Sequence, residues 1–509
     1  MMRQDSRGLL ALTAALCALT CLVGGACGGG DDPATTTTSG TGGAGTGGEE
    51  LGGFMAGPTG TGGGMNGGGG EGGTGEVANV WGEVRGGAGS VFPKAVAIDG
   101  MGSIVVVGAF STGSIDLGGG DLSHSGGDDI FVVKYASNGT HLWSSSFGAS
   151  GDQSALGVSV DSSGAISLTG RFVGTFSFPG GPTLDAEGNM FSDIFVAKLD
   201  TDGNHLFSAR YGIGANFTDN GNAITNDGAD NVIATGMFQS GANFGGGVVS
   251  GPPTGAAFLA TFDAQGNYLS GEGFGTSDRQ EGLGVAATGS DVALVGFAKA
   301  DVDFGGGVLT TDQSGQERPF VARFGAGGTH VFSRLGNGGE ARAVGVAFAG
   351  QDAVVAGNFK TAIDFGDGEL EAVGANDDVF VTRFDASGAQ VFHRRFGDMA
   401  RDQAAAVATD SMGFTIVAGT FDGQLKVNFD NTLESMASTQ DAFLLRLGPS
   451  GNGFVGISMQ ADDSAQAEGV AVDPTDDSIV VVGRVRGSVD FGAGPQSGND
   501  DMFVAKFAP

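Results

Sequence analysis

The chain is short of the residues on which most enzymes and nucleic-acid binders rely. It has three cysteines in 509 residues, at positions 17, 21 and 27, so nothing beyond Cys27 can supply a disulfide or a thiolate metal site. Basic residues are scarce as well: 24 Lys and Arg stand against 57 Asp and Glu, a formal charge of −33. Such a surface repels phosphate backbones and anionic lipid headgroups, which excludes nucleic acid as a partner. The apolar run 9–23 is fifteen residues long, too short to span a bilayer. Gly-x-Ser-x-Gly and His-Glu-x-x-His are both absent. What is abundant is glycine, 100 residues, and because each glycine inside a helix costs about 1 kcal/mol relative to alanine, helix-rich folds are excluded too.

The first residues read as an export signal: Arg3 and Arg7 against Asp5, the apolar run, then Gly24, Gly25 and Ala26 before Cys27. Residues 1–26 are expected to be removed. An exported chain whose remaining cysteine stands at such a cleavage site resembles a bacterial lipoprotein acylated on Cys27. Gly24 occupies the place where that family prefers a leucine-like residue. Gly28, not aspartate, follows the cysteine, so the resemblance implies an outer-membrane or cell-surface destination. Beyond Cys27, residues 28–76 carry no lysine or arginine and almost no large apolar group, so 27–76 is expected to be a tether without a core.

From residue 77 onwards a pentamer recurs seven times, for example Phe131-Val-Val-Lys-Tyr135, Phe195-Val-Ala-Lys-Leu199, Phe380-Val-Thr-Arg-Phe384 and Phe503-Val-Ala-Lys-Phe507. Successive leading phenylalanines lie 64, 63, 62, 60, 63 and 60 residues apart, and seven such units fill 77–509. Each unit reads as four short strands separated by Asp-x-x-Gly turns such as Asp161-Ser-Ser-Gly164 and Asp385-Ala-Ser-Gly388. The predicted fold is all-β: a seven-bladed β-propeller of four-stranded antiparallel blades. Val80-Trp81-Gly-Glu-Val84 matches an outermost strand but has no pentamer before it, whereas Phe503 to Phe507 ends the chain without a following outermost strand. The ring is therefore expected to close by pairing the first strand with the last blade.

Several motifs carry a family resemblance: Val105-Val-Val-Gly108 followed by Phe110, the Val302-Asp-Phe-Gly305 turn, and Asp193-Ile-Phe-Val-Ala-Lys198. These units resemble the seven-bladed propeller repeats called SBBP repeats, found in exported bacterial proteins and in glycine-rich lipoproteins of myxobacterial type. The resemblance covers 77–509 and implies architecture without catalytic residues. Departures are Thr261 in place of the basic residue, Ala256 and Arg318 in place of the leading acid, and Ala298 and Val485 in place of the aromatic.

Features repeated in every blade are read as packing, so the pentamer's basic residue is expected to pair with an acid, the nearest in sequence being Asp129, Asp193, Asp378, Asp441 and Asp501. A basic polysaccharide-binding stripe is the alternative. The Asp-Phe-Gly triplets read as turns, and histidines at one repeat position, such as His141 and His205, are too far apart around a ring to share a metal. Function is sought where blades differ, at the ends of the second strands and in the loops leading into the innermost strands. Asp152, Arg171, Arg279, Glu340, Asn358, Asp402 and Arg484 are the candidate ligand-binding residues, expected on one face beside the channel. No cofactor is expected unless it is Ca²⁺, for which Asp200, Asp202, Asp473 and Asp476 are the candidates, with a capped turn as the competing role. The function expected is a lipid-anchored, non-catalytic envelope module that binds or displays a protein or glycan and meets the membrane through its anchor only. The alternative is a propeller glycan lyase or hydrolase using acids and arginines at the channel mouth, with no histidine close to those acids in the sequence.

Overall fold

A computed structural model describes residues 77–509 other than 187–189, 215, 314, 429–430 and 436–438. The export signal, the tether and Cys27 lie outside the described residues. Everything below belongs to the compact unit Gly67–Pro509.

Among the described residues five separate four-stranded antiparallel sheets repeat along the chain, followed by two further such units joined within one ten-stranded sheet. The first comprises Ser90–Ile98, Ile104–Ser111, Asp129–Tyr135 and His141–Phe147, hydrogen-bonded in that order from innermost to outermost. The other innermost strands are Gln153–Val160, Asn220–Asn226, Gln280–Thr288, Ala341–Ala349, Asp402–Thr409 and Ser464–Val472. Each packs against the next, and the seventh packs against the first, so the sheets stand around an axis as blades. The chain is a β-propeller.

Closure is made by the strand Asn79–Gly87, which pairs antiparallel with Pro495–Phe507 as the outermost strand of blade seven, with Val84 opposite Phe503 and Trp81 opposite Lys506. Val480, Val482, Met502 and Val504 of that blade share one core cluster with Val106, Phe131 and Val133 of blade one. A ring closed in this way leaves no long bare sheet edge. Blades six and seven are also joined by a short pairing of Gln460 with Asp490 and Ala461 with Val489.

The middle strands differ from their sequence pattern. The run Ala165–Thr169 alternates as a half-buried strand should, yet Ile166, Ser167, Leu168 and Thr169 are all buried. Blades stack face to face, so a middle strand has neighbours on both sides. Its polar members are satisfied locally, as where Thr169 Oγ1 donates to the Phe195 carbonyl at 2.9 Å. The glycine-rich segments are not plain turns either: in blades one to six they fold into small ribbons such as Ser114–Asp116 with Asp121–Ser123, joined in blade five by a third strand, Asn337–Gly338. At their tips the Asp of Asp-x-Gly-x-Gly caps the turn, Asp303 Oδ1 accepting from Gly305 N at 2.8 Å and Gly307 N at 3.0 Å.

One glycine recurs in every second strand: Gly108, Gly170, Gly236, Gly296, Gly357, Gly419 and Gly483. A Cβ on any of them would overlap a carbonyl of the innermost strand, and in most blades the pentamer phenylalanine ring as well. Each innermost strand carries a register shift just after that carbonyl, for example between Ala404 and Ala406 or between Ala467 and Gly469. The bulge brings the strand inward, and only glycine leaves room for it.

The pentamer's basic residues form ion pairs within the blade, but with a different acid from the one expected. Their partners are the aspartates of the innermost hairpin turns: Lys134–Asp99 at 3.1 Å, Lys198–Asp161 at 2.7 Å, Arg323–Asp291 at 2.6 Å, Arg383–Asp352 at 2.9 Å, Arg446–Asp410 at 2.8 Å and Lys506–Asp473 at 2.8 Å. The basic side chains are largely buried, which removes them as a polysaccharide-binding stripe. In blade three, where Thr261 replaces the base, Asp227 is part-exposed and bonds to the side chain of Asn231 instead.

Candidate functional site

The channel mouth is built by register. The start of each innermost strand lies opposite the end of the second strand, giving Phe92 opposite Ala109, Ser154 opposite Arg171, Asn220 opposite Met237, Glu281 opposite Phe297, Arg342 opposite Asn358, Gln403 opposite Thr420 and Gln466 opposite Arg484. Both sets of variable positions therefore occupy the same end of the blades. The residues just before the bulges fill this rim, since a bulge re-aims the side chain that precedes it.

The candidate residues are held by separate sets of partners. Asp152 accepts from the Asp128 amide at 3.2 Å. Burial, with the charge of Asp152 added, raises the Asp128 carboxyl above its ordinary value, while Arg171 and His124 act in the other direction. Arg279 bonds to Glu281, and its guanidinium lies 5.7 Å from the Phe297 ring, with that of Arg342 at 5.6 Å. Glu340 is exposed and pairs with Lys360 at 3.4 Å. Arg484 lies 4.6 Å from the centre of the Phe92 ring and bonds Asp500 at 2.9 Å. Asn358 is buried and bonds both backbone groups of Ala404. Asp402 is fully buried and accepts from the Asp398 amide at 2.9 Å. Asp152 and Arg171 thus share one neighbourhood around Asp128, while Asp402 and Arg484 are held by other partners.

Three of the calcium candidates, Asp200, Asp473 and Asp476, serve as turn caps. Asp200 Oδ1 accepts from the amides of Asp202 at 2.9 Å and Asn204 at 2.8 Å. Asp473 faces Lys506 and accepts from the Thr475 amide and hydroxyl, and Asp476 holds Ser478. Among the described residues no group of three or more His, Cys, Asp or Glu side chains closes around a point suited to a metal.

Two features were not read from the sequence. The first is a cleft of about 190 Å³ between blades six and seven, lined by Arg401, Gln403, Thr420, Asp422, Gln440, Gln466 and Glu468. Its cause is local. Thr420 is small and lies opposite a glutamine, whereas Ala109, the other small residue at this position, lies opposite Phe92. Ala404, Ala405 and Ala467 add no bulk. Inside the cleft Gln466 Nε2 donates to Gln440 Oε1 at 2.8 Å, and Arg401 donates to Gln403 Oε1 at 2.6 Å. Blades six and seven alone carry glutamine at the rim position of the innermost strand, which is the signal that could have located the cleft. The second feature is His124, whose Nε2 lies 2.6 Å from the Gly127 carbonyl and which offsets part of the rise that burial imposes on the Asp128 and Asp129 carboxyls. A histidine does stand near the acids of the mouth, brought there by the loop after the first ribbon.

No family model matches the chain, and no curated protein matches it. Among solved structures it is similar to the WD40 repeats of RRP9, with 9% identity over 85% of this chain and 98% of that one and a TM-score of 0.45. It is also similar to a protein of unknown function from Dyadobacter fermentans, with 11% identity over 85% and 99% of the two chains and a TM-score of 0.40. A third is the β-propeller domain of the Trilobed protease from Pyrococcus furiosus, with 8% identity over 82% and 94% and a TM-score of 0.41. The assignment to the propeller class rests on the strand pairing and ring contacts given above.

Proposed function

We propose that this protein is a non-catalytic binding or display module of the bacterial cell envelope, tethered through an acylated Cys27, that engages a protein or glycan at its channel mouth. The observation that carries the reading is the cleft between blades six and seven. Its amides, hydroxyl and mixed charges offer both hydrogen-bond donors and acceptors, the chemistry that peptide groups and sugar hydroxyls require. The seven repeats supply a rigid frame, and the residues that vary between blades are gathered on one rim. The anchor is supported by the apolar run and the small residues ahead of Cys27.

The test is a glycan and peptide array probed with the full-length protein and with Gln403→Ala and Gln466→Ala variants, with and without calcium. A ligand retained by the parent and lost by both variants is expected. A parent that binds nothing, or variants that bind as the parent does, would overturn the reading.

A propeller lyase or hydrolase is favoured by one specific observation, the group Asp128, Asp152, Arg171 and His124 at the boundary of blades one and two. It contains a carboxyl with raised proton affinity beside a cation and an imidazole, the ingredients of acid–base chemistry on a glycan. Depolymerisation of an envelope or extracellular polysaccharide that is abolished by Asp128→Asn would establish it.

A further inference from the structure

The position just before the rim residue of each innermost strand is occupied by Val91, Gln153, Gln280, Ala341 and Ala465 in five blades and by Asp219 and Asp402 in blades three and six. In those two blades a second buried acid faces it from the preceding blade. Around Gly397, Asp378 Oδ1 and Asp402 Oδ2 lie 2.6 and 2.9 Å from the point a Cβ would occupy. Around Gly212, Asp193 Oδ1 and Asp219 Oδ2 both lie 2.7 Å from the equivalent point. The two carboxyls of each pair are therefore neighbours, and all four side chains are buried.

The charges do not balance. Arg395 bonds Asp378 at 2.9 Å, and Arg210 bonds Asp193. Among the described residues, one guanidinium thus meets two carboxylates in each pair. The other groups acting on Asp402 are Asp398, in the loop before it, and Asp422, at the end of the second strand, both acidic. Arg401, next in sequence, is directed to Gln403. Those acting on Asp219 are Asp193 and Arg210. Asp402 Oδ1, Asp378 Oδ1 and Asp219 Oδ2 have no hydrogen-bond partner.

Blade two shows that the position needs no charge. Gln153 Oε1 accepts from the Ala149 amide at 2.9 Å, four residues back, and Asp402 Oδ2 makes the same bond to the Asp398 amide at 2.9 Å. A neutral side chain makes that bond equally well, and an unpaired buried carboxylate adds only a desolvation cost.

We infer that Asp219–Asp193 and Asp402–Asp378 are proton-sharing carboxyl pairs that lock blade two to three and blade five to six, closed while each pair holds a proton and loosened when it is lost. The proton neutralises the surplus charge and supplies an O–H donor to an oxygen that otherwise has none. Burial, reinforced by the neighbouring acids, pushes Asp219 up to about 7 and Asp402 up to about 8. In the unfolded chain an aspartate titrates near its ordinary value of about 3.9. Between that value and the raised ones the folded state binds more protons. The stabilisation is therefore complete below about pH 4 and is lost as pH rises through the neutral range. Asp402 stands in sequence between Arg401 and Gln403, both of which line the cleft.

The test is thermal unfolding of the full-length protein from pH 5 to 9, with infrared spectra of the carboxyl region. The parent is expected to lose several degrees of Tm across that range and to show a protonated-carboxyl C=O band at pH 6 that disappears by pH 9. Asp219→Asn and Asp402→Asn should each flatten the Tm profile and melt above the parent at pH 9, and the double variant should lack the band. A parent without the band at pH 6 overturns the proposal without reference to any variant. So do Asn variants that keep the parent's pH slope, or a parent Tm that shifts with calcium or EDTA in place of pH, which would identify a cation between the carboxyls.

Discussion

Asn358 in blade five brackets Ala404 in blade six, its Oδ1 accepting from the Ala404 amide at 2.7 Å and its Nδ2 donating to the Ala404 carbonyl at 3.1 Å. Ala404 begins the bulge of its strand, so these bonds satisfy backbone groups that the bulge would otherwise strand in the core. A rim residue that reads as a ligand contact is thus engaged in holding two blades together.

Replacing Asn358 with leucine should destabilise the protein by about 1–3 kcal/mol, because it leaves the amide and carbonyl of Ala404 buried and unpaired. Ligand affinity at the cleft, measured on protein that is still folded, should stay within twofold of the parent. A large loss of affinity with unchanged stability would assign Asn358 to the ligand.

The Lys198–Asp161 pair is buried on both sides. Lys198→Met should cost about 3–5 kcal/mol in denaturant unfolding, and adding Asp161→Asn should restore part of it by removing the stranded charge. Burial alone would raise Asp161, but Lys198, Ser163 and the Ala165 amide outweigh it and hold the carboxyl below its ordinary value. Its contribution is therefore present above about pH 4 and lost as pH falls through the lowered value. Acid unfolding of the double variant should start at lower pH than that of the parent.

At Gly419 a Cβ would overlap the Gln403 carbonyl and the Phe443 ring. Gly419→Ala should destabilise by about 3 kcal/mol or more, at the upper end of overpacking costs because one of the opposing groups is backbone. The same change at Gly120, where the surrounding space is empty but φ is +102°, should cost less. Equal effects at the two sites would contradict the bulge argument.

Cys27→Ser should release the protein from the membrane fraction into the soluble one while the propeller folds as before. Continued membrane association of the serine variant would refute the acyl anchor.

The blade repeat was legible because each unit must solve the same packing problem with the same residues: a phenylalanine, a bulge glycine and a buried base. The correct partner of that base was not, because the nearest acids in sequence, such as Asp193 and Asp378, sit at the other end of the strand, and only strand register carries Lys198 to Asp161. The rim could be located from the repeat, but the cleft could not. It depends on Thr420 lying opposite Gln403 and on Gln440 reaching Gln466 from a different blade. His124 was missed for the same reason, since the loop that carries it has no counterpart in the repeat pattern.

The strand Asn79–Gly87 belongs to blade seven, and its partner Pro495–Phe507 ends 2 residues before the last position of the chain, Pro509. During synthesis the first piece of the propeller to emerge is thus the last to find its place. Six blades can stack as an open arc before then, but the arc cannot become a ring until Pro495–Phe507 has been made. A chain that stops short of Pro495–Phe507 is an arc with two sticky ends, so that one strand decides between a discrete particle and material prone to join end to end.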